Sequence, residues 1–216
     1  MKIIDLGLID YPEAYKIQKD ILKQRKNGDA CDTLIVAEHL PVFTIGRAGS
    51  RDNLLVDKKV LEQKGIKLIE VDRGGDITFH GPGQIVLYPI VNLKERSLDL
   101  HRFIRNLEEL VLRFLSSYDI NARRVEGKSG VWVQGKKICS VGIGVSRWTS
   151  FHGISVNINT DLSYFSMIRS CGINSIEMTS LAKILNETID MGESKKRLIS
   201  IFDQIINANE TVSALD

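Results

Sequence analysis

Between Arg73 and Gln84 the chain reads RGGDITFHGPGQ, with apolar, strand-like runs on either side (KLIEVDR before it, QIVLYPIVNL after it). This stretch limits the fold more than any other. Gly74-Gly75 can take positive φ and let another group approach the backbone closely. Gly81-Pro82-Gly83 makes a second tight bend. Between them DITFH alternates as a short strand should. Four glycines in so short a span weaken a sheet unless something else needs the space. The cluster therefore points to a loop shaped around a ligand. The plain alternative is a glycine-rich hairpin whose Arg73 pairs with a surface carboxylate.

The rest of the sequence supplies strands in hairpin-like groups with helices between them. YPEAYKIQKDILKQRKNGD reads as a first helix, with Asp10 as its cap, Pro12 in its first turn and Asn27-Gly28 at its end. TLIVAEHLPVFTIGR reads as two strands broken at Pro41, and DKKVLEQKGI as a short helix stopped by Gly65. The clearest helix begins near Ser97, a good N-cap. Leu100, Phe103, Ile104, Leu107, Val111, Phe114 and Leu115 recur at spacings of three and four and form one apolar stripe. GVWVQGKKICSVGIGVS predicts a hairpin turning at Gln134-Gly135, and FHGISVNIN another strand. From about Ser180 the chain reads as helical, and residues 207–216 are expected to fray. The expectation is an α+β fold: a central, largely antiparallel or mixed sheet flanked by helices, in a single domain spanning residues 1–216.

Composition narrows the function. With 29 basic and 27 acidic residues the net charge is +2, far from the basic excess typical of nucleic-acid binders. No apolar run is long enough to span a bilayer, and the N-terminus does not read as a signal peptide. Cys31, Cys139 and Cys171 are too few and too scattered for a disulfide framework or a zinc site, which fits a reducing cytoplasm. His39, His80, His101 and His152 show no metal-ligand spacing, so no metal is expected. EGKSG resembles the end of a phosphate-binding loop, but Ala122 stands where that pattern needs glycine. VGIGVS lacks the spacing and context of a dinucleotide fingerprint.

Two of the thiols differ in context. Cys139, in KKICSVGIG, has apolar neighbours and reads as a core residue. Cys171, in IRSCGIN, has small and polar neighbours and is the candidate reactive thiol. A thiol with an unperturbed pKa of ~8.5 needs a nearby cation or base to react at neutral pH. Lys137, at the start of an otherwise apolar strand, is a candidate, although a lysine there ordinarily faces solvent.

LPVFTIGR, DRGGDITFHGPGQIVLYPI, SGVWVQGKKICSVGIGV, FHGISVNIN and DLSYFSMIRSCGI together closely resemble the lipoyl(octanoyl) transferases, in order and over roughly residues 35 to 180. The chain departs from many relatives at Ser170, Asp76 and Phe79, where proline, glutamine and tyrosine are common. The resemblance implies the fold shared by biotin and lipoate protein ligases. It implies transfer of an octanoyl group from octanoyl-acyl carrier protein to a lysine of lipoyl domains, as the first step of endogenous lipoate biosynthesis. Those domains belong to the 2-oxoacid dehydrogenase complexes and the glycine cleavage H protein. It implies Cys171 as the acyl-accepting thiol and Lys137 as the lysine that lowers its pKa. Substrate contacts would come from Arg73, Gly74, Gly75, Asp76, Ile77, Thr78, Phe79 and His80, from Ser140, Val141 and Gly142, and from Gly153, Ile154 and Ser155. No cofactor is expected beyond the phosphopantetheine arm of the carrier.

The glycines would then keep side chains away from the acyl thioester, and QIVLYPIVNL and ICSVGIGV would line its slot. Arg47, Arg51 and Arg73 would offer a docking face to acidic partners. The rival readings are an ATP-dependent lipoate ligase, an amidotransferase working between carrier domains, and a non-catalytic binder of acylated carriers.

Overall fold

The structure, a computed structural model, describes residues 1–96, 98–169 and 176–208. Two sheets carry it. The larger has seven strands in the order β1-β2-β6-β10-β9-β8-β7 and the smaller has three in the order β4-β3-β5. In the large sheet are β1 (Lys2–Ile9), β2 (Thr33–His39), β6 (Gln84–Ile90), β7 (Arg123–Val125), β8 (Lys128–Val133), β9 (Lys136–Ser146) and β10 (Thr149–Asn157). The small sheet holds β3 (Val42–Ile45), β4 (Lys67–Glu70) and β5 (Ile77–His80). β1 runs parallel to β2 and β3 parallel to β4; the other pairings are antiparallel. The architecture is the mixed, helix-flanked α+β sheet that the sequence led us to expect.

The described residues also form five α-helices: α1 (Tyr11–Asn27), α2 (Lys58–Gln63), α3 (Leu100–Ser116), α4 (Leu181–Leu185) and α5 (Met191–Ala208). α3 and α5 cover one face of the large sheet. The stripe residues Phe103, Leu107, Val111, Phe114 and Leu115 pack there against Val131, Val133, Ile154 and Val156. α1 lies on the opposite face, with Leu22 among Ile35, Val86, Tyr88 and Ile90. The small sheet has its own core, built on Phe43, Ile45, Ile77 and Phe79.

Several local expectations need correction. Asp10 holds the N-cap position of α1 without capping it, because its carboxylate pairs with Lys67 instead. α3 is capped by Asp99, whose side chain accepts from the Arg102 N–H; Ser97 lies outside the described residues. β5 and β6 do not form a hairpin. β5 pairs with β3, and β6 with β2 and β10, so the Gly81-Pro82-Gly83 bend carries the chain from one sheet to the other. β1 and β7, edge strands with mixed polarity, were not foreseen. The first two residues of the tail expected to fray, 207 and 208, belong to α5; residues 209–216 lie outside the described part.

Candidate active site

A cleft of about 650 Å³, counted out to its open mouth, lies where the two sheets and the start of α1 meet. Tyr11, Val86 and Tyr88 line it together with Arg73, Gly75, Asp76, Ile77, Thr78 and His80 from the β4–β5 loop and β5. β9 contributes Lys137, Ser140, Val141 and Gly142, and β10 contributes His152, Gly153, Ile154 and Ser155. Of the residues expected to bind substrate, the cleft thus gathers all but Gly74 and Phe79. Cys171 lies outside the described residues.

Phe79 is turned away because strand alternation sends its ring to the other face of β5. There it stacks on Tyr164, with ring centroids 4.4 Å apart, and meets Phe43 and Phe165. Gly74 is a clamp instead of a contact: its N–H donates to the Ile143 carbonyl at 2.9 Å and pins the loop onto β9. Arg73 is buried, so it does not belong to an exposed docking face. Its guanidinium donates to the Thr44 carbonyl (2.7 Å), the Thr44 hydroxyl and the Gly74 carbonyl.

Two backbone irregularities aim polar side chains into the cleft. The first is in β9. Val131 stands opposite Cys139, but Trp132 stands opposite Lys137, which leaves Ile138 as one extra residue. Ile138 and Cys139 consequently both enter the core under α3. Without this bulge, alternation would place Lys137 on the same side as Cys139. With it, Lys137 shares the cleft face with Ser140 and Gly142. Lys137 is 7% exposed, so it does not face solvent as a lysine at a strand start ordinarily would. Gly130, on β8, makes room for it. A Cβ there would sit 2.7 Å from Lys137 Cε and 2.3 Å from the Cys139 carbonyl oxygen, and its φ of +113° favours glycine. The Gly130 N–H is held by the buried carboxylate of Glu108 at 2.9 Å.

The second irregularity is His152, left-handed at φ 54° in the middle of β10. This conformation costs a non-glycine residue roughly 1–2 kcal/mol. Its N–H turns from the sheet to the Gln18 side-chain oxygen (3.1 Å), and its ring turns from the α3 face to the cleft. There Nε2 lies 2.8 Å from Asp72 and Nδ1 3.4 Å from the Tyr11 hydroxyl. Burial alone would raise the Asp72 pKa, but bonds from Lys19, Tyr15 and His152 outweigh it and hold the carboxyl well below its ordinary value. Asp72 is therefore ionised, Nε2–H donates to it, and Nδ1 accepts from Tyr11.

The other two buried imidazoles have equally definite roles. His39 donates from Nδ1 to the Ile9 carbonyl and accepts the Tyr88 hydroxyl at Nε2 (2.6 Å). His80 donates from Nδ1 to Gln84 (2.7 Å), whose amide is fixed by the Phe79 carbonyl and Asn157. Burial lowers all three, His39 and His152 to about 4 and His80 well below its ordinary value. At neutral pH this end of the cleft is thus an uncharged imidazole and phenol network around one fixed carboxylate.

The Cys139 thiol is buried, and burial pushes it up to about 12, with Lys137 as a smaller opposing influence. It is chemically quiet, as its apolar neighbours suggested.

Sequence reasoning missed Tyr11, Ser129, His152 and Met178 as cleft residues. FHGISVNIN held a signal for His152, but nothing in it announced the left-handed turn. The glycines also differ from expectation. A Cβ at Gly81 would strike the Phe79 ring at 2.4 Å, and one at Gly83 the Asn159 backbone at 2.7 Å. They serve the crossing between sheets, whereas Gly142 leaves room for Arg73 and Gly74.

A family model described as the lipoyl protein ligase A/B catalytic domain matches residues 10–203. The chain belongs to this family. It is 43% identical over 203 residues to an octanoyltransferase of Rubrobacter xylanophilus, covering 93% of this chain and 90% of that protein. An octanoyltransferase of a Thermoanaerobacter species is 42% identical over 217 residues, covering 100% of this chain and 94% of its own. Among solved structures, lipoate-protein ligase A bound with ATP superposes with a TM-score of 0.78 at 17% identity, covering 95% and 85% of the two chains. Biotin protein ligase from Aquifex aeolicus superposes with a TM-score of 0.59 at 15% identity, covering 98% of this chain and 71% of its own. These likenesses fix the fold of this ligase A/B family member as one shared by lipoate and biotin ligases.

Proposed function

We propose that this protein is an octanoyltransferase that moves an octanoyl group from acyl carrier protein to a lysine of a lipoyl domain through a thioester on Cys171. The relatives named octanoyltransferase match it at 42–43% identity over nearly its whole length. The observation that carries the chemistry is Lys137, a buried amine aimed by the β9 bulge into the cleft. The described residues flanking Cys171 support its role. On one side the Arg169 N–H donates to the Asn53 carbonyl (2.7 Å), and the Asn53 side chain is bonded to Asp76 on the cleft wall. On the other, Met178 bridges to Lys137 itself.

Thioester exchange is nearly isoenergetic, so a thiol nucleophile splits the transfer into two accessible steps. The Lys137 ammonium stabilises the Cys171 thiolate, which attacks the octanoyl thioester of the carrier's phosphopantetheine arm. The carbon–sulfur bond to the carrier breaks, and its sulfur leaves as a thiol with the proton that Lys137 gives up. The lipoyl-domain lysine then attacks octanoyl-Cys171, and neutral Lys137 takes the proton from that amine; the carbon–sulfur bond breaks as the amide forms, which restores the Cys171 thiolate beside the Lys137 ammonium. The two roles need opposite charge states, so thiol and amine titrate as a pair. Val86, Tyr88 and Val141 line the acyl slot. At ~0.8 kcal/mol per buried methylene the chain contributes several kcal/mol to binding.

In this reading the only prosthetic group is the one the donor carries. The setting is the cytoplasm, and no helix of the described residues is long and apolar enough to cross a membrane. Incubation with octanoyl-acyl carrier protein followed by intact-mass measurement tests the proposal. One octanoyl adduct is expected on the wild type and on Cys139→Ser, and none on Cys171→Ser. An adduct that survives Cys171→Ser, or lipoyl-domain acylation that requires ATP, overturns it.

A further inference from the structure

Trp132 occupies an unusual place. Its neighbours Val131 and Val133 point into the core under α3, so alternation turns the indole to the cleft face of β8. It stands directly opposite Lys137 in the ladder, and the Lys137 Nζ lies 5.6 Å from the ring centroid. The Lys128 Nζ lies 5.5 Å from the same ring. Trp132 is 4% exposed, and its indole N–H finds no acceptor among the described residues. A buried donor without a partner is destabilising, and phenylalanine would fill much of the space without that cost. What tryptophan adds is the strongest ring quadrupole of the aromatic residues, the feature that attracts an ammonium.

The geometry points to Trp132 as a positioning residue that holds Lys137 in its ammonium form beside the nucleophile. The role rests on Lys137 being the catalytic amine. Dispersing the bulge would release the lysine from its aim; removing the ring would leave the aim and weaken the charge. Other groups act on the same amine. Lys128 on β8 repels it. Glu108 of α3 attracts it from beneath Gly130, although that carboxylate is shared with Arg105 and Arg124. Lys136, next in the strand, is paired with Glu177. Arg73, Asp76, His80 and His152 face it from the other walls of the cleft, and the Cys139 thiol lies two residues away.

The test is the titration of the Lys137 ammonium, followed by NMR of the labelled Cε and assigned with Lys137→Arg. The Cys171→Ser background removes coupling to the thiol. Trp132→Leu is expected to lower the midpoint by roughly one pH unit. Trp132→Phe should lower it by less, and Lys128→Ala should raise it because a like charge is gone. An unchanged midpoint in both tryptophan variants overturns the inference; if the leucine variant does not fold, the phenylalanine variant alone decides. The readout needs no turnover. A shifted midpoint without an acyl adduct on wild-type Cys171 would refute the proposed function and leave only the coupling of the Trp132 ring to the Lys137 charge. An adduct with an unmoved midpoint would do the reverse.

Discussion

The two ends of the cleft reach the same result by different means, and their difference separates chemistry from scaffolding. At one end an inserted residue in β9 turns Lys137 inward, a glycine gives it space, and an aromatic face receives its charge. At the other a left-handed residue in β10 turns His152 inward, and Asp72, Tyr11 and Gln18 hold it. In the proposed transfer, the lysine end supplies the charge that the reaction needs. The histidine end removes charge, since His39, His80 and His152 are all held neutral by burial. The contrast teaches that a strand defect can serve either purpose, and that the surrounding partners decide which.

The sharpest way to break this comparison is at the lysine. Lys137→Met should leave the fold intact and lower octanoyl transfer by roughly 10²–10⁴-fold, the range for loss of a general acid–base group. An effect under tenfold would put the chemistry elsewhere. Gly130→Ala comes next. A methyl group 2.3 Å from the Cys139 carbonyl forces β8 and β9 apart, with about 1–3 kcal/mol of lost stability and misplacement of the amine. Urea unfolding and single-turnover kinetics would show both losses together.

The histidine end should answer to pH. Its folded-state pKa values of about 4 lie below the unfolded 6.5, so between those limits the unfolded chain binds more protons. Stability is therefore full above pH 6.5 and falls as pH drops toward 4, by up to roughly 1.4 kcal/mol per unit for each histidine. Urea midpoints measured from pH 7.5 to 4.5 would test the slope, and His152→Gln should flatten it. A flat profile in the wild type would mean that this end is not held neutral. The smallest effect belongs to the exposed Arg51–Glu70 pair. Arg51→Ala should change stability by less than ~1 kcal/mol. If Arg51 helps dock an acidic carrier, the variant raises KM for that donor and leaves kcat unchanged.

Much of the fold was legible because its signals are local. The stripe on α3, Gly28 after α1 and the Gln134-Gly135 turn each advertise an element in a few residues. The β9–β10 turn was not, since Arg147 and Trp148 adopt positive φ (49° and 64°) without the usual glycine or asparagine. The split into two sheets was also hidden: β5 and β6 read alike in sequence, and only long-range pairing assigns them to different sheets. The motif family identified most of the cleft lining, but Phe79 shows where a motif overreaches. It lies within the matching run, yet strand parity gives its ring to the small-sheet core. His152 is the opposite case, a cleft residue that parity alone would assign to the core.

The bulge in β9 makes the pairing of that strand as consequential as its composition. Deleting Ile138 would leave every other residue and almost all the apolar surface in place. It would also restore strict alternation, yet Lys137 would keep the cleft face and Cys139 the core, because the residue removed is the one with no partner on β8. Flattening the bulge with Ile138 retained would be the opposite case: strict alternation would then turn Lys137 to the side of Cys139 and carry an ammonium toward the core.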